Sequence, residues 1–143
     1  MLLLIQANPL NDLSWLFPAL EVWHILGLAL SIGTIAIVDF RLLGFGMKRQ
    51  TAAEMAKDLA PWTLVGLMSM LLSGGLMFAT DPDMYYLNHP FQIKMGCLLA
   101  AIIFQYTIHR KVVAAGSGGV IAGISLFLWA SVVGGGIFTG FYA

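Results

Sequence analysis

Long apolar runs separated by short polar intervals dominate the chain, and they fall near residues 18–40, 61–80, 91–110 and 119–142. Each is close to the roughly 20 residues that carry a helix across a ~30 Å hydrocarbon core. Lipid offers no hydrogen bonds to an unpaired backbone, so a spanning segment is either a helix or part of a closed barrel. Barrel strands alternate in polarity and these runs do not, which leaves helices. Polar punctuation supports the boundaries. Pro18 and Pro61 suit a first helical turn, Asp58 and Asn88 are candidate caps, and Gly116-Ser117-Gly118-Gly119 predicts a tight turn. The expected fold is all-α: a single membrane domain over residues 1–143, an integral membrane four-helix bundle with up-down-up-down topology. Leu10 to Phe17 is expected to be an interfacial lead-in, with Trp15 and Trp23 at headgroup depth.

Composition sharpens this picture. Of 143 residues, 59% are apolar and 10% charged, which excludes an ordinary soluble globule and makes the lipid bilayer the main partner. Net charge is zero and no basic stripe is present, so nucleic acid is excluded as a partner. Arg41, Lys48, Arg49 and Lys57 lie in or beside the first loop, and Arg110 and Lys111 beside the third, leaving Lys94 alone on the other side. The positive-inside rule makes the cation-rich side cytoplasmic and gives an N-out/C-out orientation. The opening MLLLIQANPL lacks a basic region and a small-residue cleavage site, so it is expected to be retained. Cys97 stands alone, which leaves neither an internal disulfide nor a thiolate cluster.

Small residues recur at helical spacing. His24, Gly27, Ser31 and Thr34 share one face of the first span, and Thr63, Gly66, Ser69 or Met70, Ser73 and Met77 form a similar stripe in the second. Gly136 and Gly140 offer the same in the fourth. Such stripes let helices approach closely, and a flat cofactor between helices needs the same small residues, so packing and cofactor readings both stand.

Ionisable groups inside a membrane span are costly, by roughly 2.5–3.5 kcal/mol on insertion scales, and are functional candidates by default. His24 and Lys94 lie on parallel spans, within about one turn of the same depth near the outer side. Together they are candidate axial ligands of a haem iron, with His89 in the outer loop as an alternative partner for His24. The competing readings are a snorkelling Lys94 and a His24 hydrogen-bonded to Glu21 or to a neighbouring helix. His109, at the inner end of span three, cannot share an iron with His24. It is read as an interface residue, or as a ligand for a propionate, a quinone or a second cofactor. Asp39 is expected to pair with Arg41 or a basic loop residue in a structural role. Eight methionines raise copper, which thioethers favour as Cu(I), but no M-x-x-M or H-x-H cluster supports it. Hydrolase and nucleotide fingerprints are absent.

Trp23-His24-Ile25-Leu26-Gly27, then Asp39-Phe40-Arg41-Leu42-Leu43-Gly44, and Phe91-Gln92-Ile93-Lys94 at the start of span three carry a resemblance. The chain resembles a group of bacterial four-helix membrane proteins distantly similar to the copper-resistance protein D family and to the HemJ-type protoporphyrinogen oxidases. That resemblance implies a b-type haem at the positions matching His24 and Lys94. Arg41 resembles the arginine ending the HemJ-type first span, and His109 the histidine late in the lysine-bearing helix. No Arg-Leu-Phe-Val-Tyr-His stretch follows span one, and the polar Asn-Glu-x-Pro-Thr type motif of the last HemJ-type helix is missing. The implication therefore covers a haem pocket, not protoporphyrinogen oxidation.

The expected function is that of a b-type haem-binding, cytochrome b-like protein of the bacterial inner membrane. It would be an oxidoreductase component rather than a hydrolase, moving electrons between the quinone pool and a partner on the outer side. His24 and Lys94 are the expected ligands, with Gly27, Ser31, His109 and Arg41 as further cofactor contacts. The alternatives are a cofactor-free structural subunit of a larger membrane complex or homo-oligomer, and copper handling.

Overall fold

The computed structural model describes residues 12–46, 49–116 and 118–142. Helix α1 spans Leu16–Leu42 and α2 spans Ala52–Thr80. A short α3 covers Pro82–Tyr86. Helix α4 runs His89–Phe104, continues through a π-helical segment, Gln105–His109, and ends as Arg110–Ala115; α5 spans Gly119–Phe141. Four of these, counting His89–Ala115 as one, are long and apolar enough to cross a membrane. The all-α four-helix membrane bundle expected from the apolar runs is the fold observed. Lys48, Ser117, the opening MLLLIQANPL and the start of the proposed lead-in lie outside the described residues.

The second helix begins nine residues earlier than the apolar run suggests. Thr51 and Glu54 form a capping box: Glu54 N–H donates to Thr51 Oγ1 at 3.2 Å and Thr51 N–H to Glu54 Oε2 at 2.9 Å. Pro61 is thus inside the helix rather than in its first turn, where it removes the N–H that would pair with the Lys57 carbonyl. Asp58 is likewise interior and is not a cap. Asn88 is one, since Phe91 N–H donates to its Oδ1 at 3.0 Å, while its Nδ2 donates to the Thr139 carbonyl at 3.2 Å and ties this turn to the end of α5. The turn between α4 and α5 works through Gly116, whose φ of +76° ends α4 in the left-handed conformation.

The bundle is built as two hairpins. Helix α1 packs most extensively on α2, and α4 on α5. The hairpins join through α1 and α5, while α2 meets α4 chiefly at Arg110–Ala115. Spacings of three and four set each buried face: Gly27, Ser31, Thr34 and Val38 on α1, and Ala122, Ser125, Trp129 and Val132 on α5. Large apolar side chains such as Leu26, Val65, Leu99 and Phe127 stay exposed on the outside, as a lipid-facing surface requires.

The small-residue stripes of α1 and α2 interlock. A Cβ on Gly66 would lie 2.6 Å from the Ser31 backbone nitrogen, and one on Gly27 would lie 2.8 Å from that of Met70. Only glycine permits this backbone approach. Thr34 and Thr63 hydroxyls then hydrogen-bond across the interface at 2.7 Å. At the outer end, Tyr85 is buried against Phe78 and Phe91, with ring centroids 6.2 and 5.3 Å away.

Gly66→Val forces backbone apart and should destabilise the detergent-solubilised protein by about 1–3 kcal/mol in thermal unfolding. Gly33→Val, whose new Cβ meets nothing within 4 Å, should leave it unchanged. Burial, then the charges of Glu21 and Asp81, push the Tyr85 hydroxyl above its ordinary value. The folded chain therefore keeps that proton to higher pH than the unfolded chain. This contribution to stability is complete below about pH 10 and declines as pH rises further, and Tyr85→Phe should make the alkaline fall in melting temperature shallower.

Candidate functional site

Two polar constellations occupy opposite halves of the bundle. The outer one centres on His24, which α1 directs at α2. Its Nδ1 lies 2.9 Å from the Met70 carbonyl and 3.1 Å from Ser73 Oγ. The Ser73 hydroxyl donates to the Ser69 carbonyl at 2.8 Å, so toward the imidazole it acts as an acceptor. Nδ1 must then carry the ring proton, and Nε2 is left with its lone pair. Gly74 makes room for the ring, since a Cβ there would lie 3.0 Å from His24 Cε1. Beside it, Trp23 Nε1 donates to Ser69 Oγ at 2.5 Å.

Lys94 reaches the same half from α4. Its stem lies over α5, where a Cβ on Gly135 would be 2.8 Å from Lys94 Cβ and one on Gly136 would be 3.7 Å from Nζ. The glycine run of α5 is therefore the bed of this side chain. Among the described residues no ion pair or hydrogen bond satisfies the Lys94 amine. The structure thus brings His24 and Lys94 into one region, as their matched depths suggest.

Other expected contacts lie elsewhere. Gly27 and Ser31 are buried in the α1–α2 interface, where the backbones touch and no flat cofactor fits. Their spacing reflects packing. His89 is not in a loop but is the first residue of α4, exposed beside a small cavity lined by Leu87, Asn88, Pro90 and Tyr142. Arg41 Nε donates to the Gln50 carbonyl at 2.8 Å and braces the first inner loop.

The inner constellation corrects two expectations. Asp39 pairs not with Arg41 but with His109, whose Nε2 donates to Oδ1 at 2.5 Å, and with Ser125, whose hydroxyl donates to Oδ2 at 2.6 Å. Residues two apart on a helix face different directions, which is why Arg41 cannot serve. His109 is not an interface residue: it is 2% exposed, and Asp39 and Ser125 are fully buried. The π-helical segment Gln105–His109 delivers the histidine. Depth would have revealed the cluster, because Asp39, His109 and Ser125 all lie within two turns of the inner ends of their helices.

Beside this cluster a cavity of about 530 Å³ opens between α2 and α4, with Thr34, Ile35 and Val38 of α1 at its back. His109 and Gln105 line it, and Gln105 Oε1 is buried without a hydrogen-bond partner among the described residues. No group of three or more His, Cys, Asp or Glu side chains suited to a metal ion occurs among the described residues.

This fold and these two polar centres define a multi-pass α-helical membrane protein that keeps ionisable side chains inside its bundle. Residues 19–142 match the family of unknown function DUF6644, and the chain belongs to that family. No curated protein and no solved structure matches it.

The Asp39 cluster yields a direct test. His109→Leu leaves a buried carboxylate without its main partner and should cost about 3–5 kcal/mol in thermal or denaturant unfolding, whereas Asp39→Leu combined with His109→Leu should recover most of that loss.

Proposed function

We propose that the protein binds a b-type haem in the outer half of the bundle, with His24 Nε2 and Lys94 Nζ as axial donors. It would exchange electrons between the quinone pool and a partner on the outer side of a bacterial inner membrane. One observation carries this reading: His24 Nδ1 is held by the Met70 carbonyl, which fixes the tautomer and leaves Nε2 free to ligate. A ligating histidine characteristically donates its other ring N–H to such a group. Lys94 adds an amine that has no hydrogen-bond or ion-pair partner among the described residues, with its stem laid on Gly135 and Gly136.

A haem iron would need only one or two side chains from the protein, which is compatible with the lack of a larger ligand cluster among the described residues. When bound, the iron supplies one-electron chemistry. The protein's part is to orient the His24 ring through Met70 and Ser73, to hold Lys94 over Gly135 and Gly136, and to exclude water.

The test is an oxidised-minus-reduced visible spectrum of protein purified in detergent from haem-replete cells. A b-type spectrum lost in His24→Ala and shifted in Lys94→Met is expected. Colourless protein would overturn the reading and favour a cofactor-free subunit.

A further inference from the structure

We infer that the inner cavity between α2 and α4 binds the hydroxyl-bearing ring of a membrane-soluble hydroquinone, with Gln105 Oε1 and His109 Nδ1 as its hydrogen-bond acceptors. The site is distinct from His24 and Lys94 and does not depend on haem. Its volume, about 530 Å³, is that of a pocket for a substituted ring. Ile35, Val38, Leu59 and Leu64 give it apolar walls.

Gln105 Oε1 is buried and, among the described residues, unpartnered, a state that costs free energy and that a turn of the amide toward a donor in the cavity would relieve. His109 supplies a second acceptor. Its Nε2 must donate, because it faces a carboxylate whose other oxygen already accepts from Ser125. In the neutral ring Nδ1 then carries the lone pair, and it has no hydrogen-bond partner among the described residues. Both residues line the cavity four positions apart on the π-helical segment, a distortion that recurs at functional sites. A pair of acceptors in an apolar chamber calls for a ligand with hydroxyl donors on an apolar body.

Access comes from the bilayer. Helices α2 and α4 meet chiefly at Arg110–Ala115, so the chamber is closed at its inner end and flanked there by Lys57 and Arg110. A ring with an apolar tail enters between the two helices and leaves its tail in lipid.

The probe is a decyl-substituted benzohydroquinone, kept reduced under anaerobic conditions and titrated calorimetrically into the full chain in detergent. Its dimethyl ether, which has the same ring and tail but no hydroxyl donors, is the control. Saturable binding of the hydroquinone is expected, weaker by about 5- to 10-fold for the ether and for Gln105→Met. Ala60→Phe, which fills the cavity from its α2 wall, should abolish it. Circular dichroism and melting temperature establish that both variants fold, and His24→Ala should bind the hydroquinone normally, which separates this site from the haem reading. Equal binding of hydroquinone and ether would overturn the inference and identify a crevice for lipid chains. Undiminished binding in Ala60→Phe, or no saturable binding at all, would overturn it too.

Discussion

A carboxylate in the interior of a membrane bundle has no water to turn to, and Asp39 meets that constraint with donors from two other helices. His109 of α4 and Ser125 of α5 take one oxygen each. Because Asp39 belongs to the α1–α2 hairpin and its partners to the α4–α5 hairpin, the cluster sets how the hairpins dock and at what depth. Apolar packing around Ile35, Leu67, Leu98, Trp129 and Val132 fills the interior between them. Packing of that kind is tolerant of small slides, since lipid is as apolar as leucine. A buried charge is not, and so the polar cluster supplies the registration that the apolar core lacks.

The two hairpins are held internally by a different device. Gly27 and Gly66 bring α1 and α2 into backbone contact, and Gly135 with Gly136 admits the Lys94 stem between α4 and α5. Glycine therefore has two uses in one bundle: in the first hairpin it removes space between helices, and in the second it makes space for a side chain. His24, beside Gly74, sits at the edge of the tight interface with one ring nitrogen engaged and the other without a hydrogen-bond partner among the described residues.

Much of the fold is legible in the sequence because the membrane imposes it: four apolar runs can only be helices, and their lengths are those of spans. The start of α2 is less legible, since residues 52–60 are too polar to join the apolar run and the signal lies in the short pattern Thr51 to Glu54. Half of the candidate site is legible as well. Matched depth places His24 and Lys94 in the same half of the bundle, but depth alone does not say that Gly27 and Ser31 face a neighbouring backbone rather than a cofactor. The cation nearest to Asp39 in sequence is Arg41, but helix geometry turns that residue away. The π-helical segment leaves no mark in the composition of Gln105–His109, so neither the burial of His109 nor the orphaned Gln105 oxygen can be read from the residues alone.

That segment has a further consequence for α4 as a whole. One π turn takes up an extra residue and rotates everything beyond it by about 100° relative to an uninterrupted α-helix. Lys94 lies before the turn and faces the glycines of α5; His109 lies at its end and faces Asp39 of α1. A perfectly regular helix would aim one of these side chains correctly and the other about a quarter turn away. The two halves of the protein are thus phased independently, and the length of α4 across five residues decides whether the outer amine and the inner imidazole address their separate neighbours at the same time.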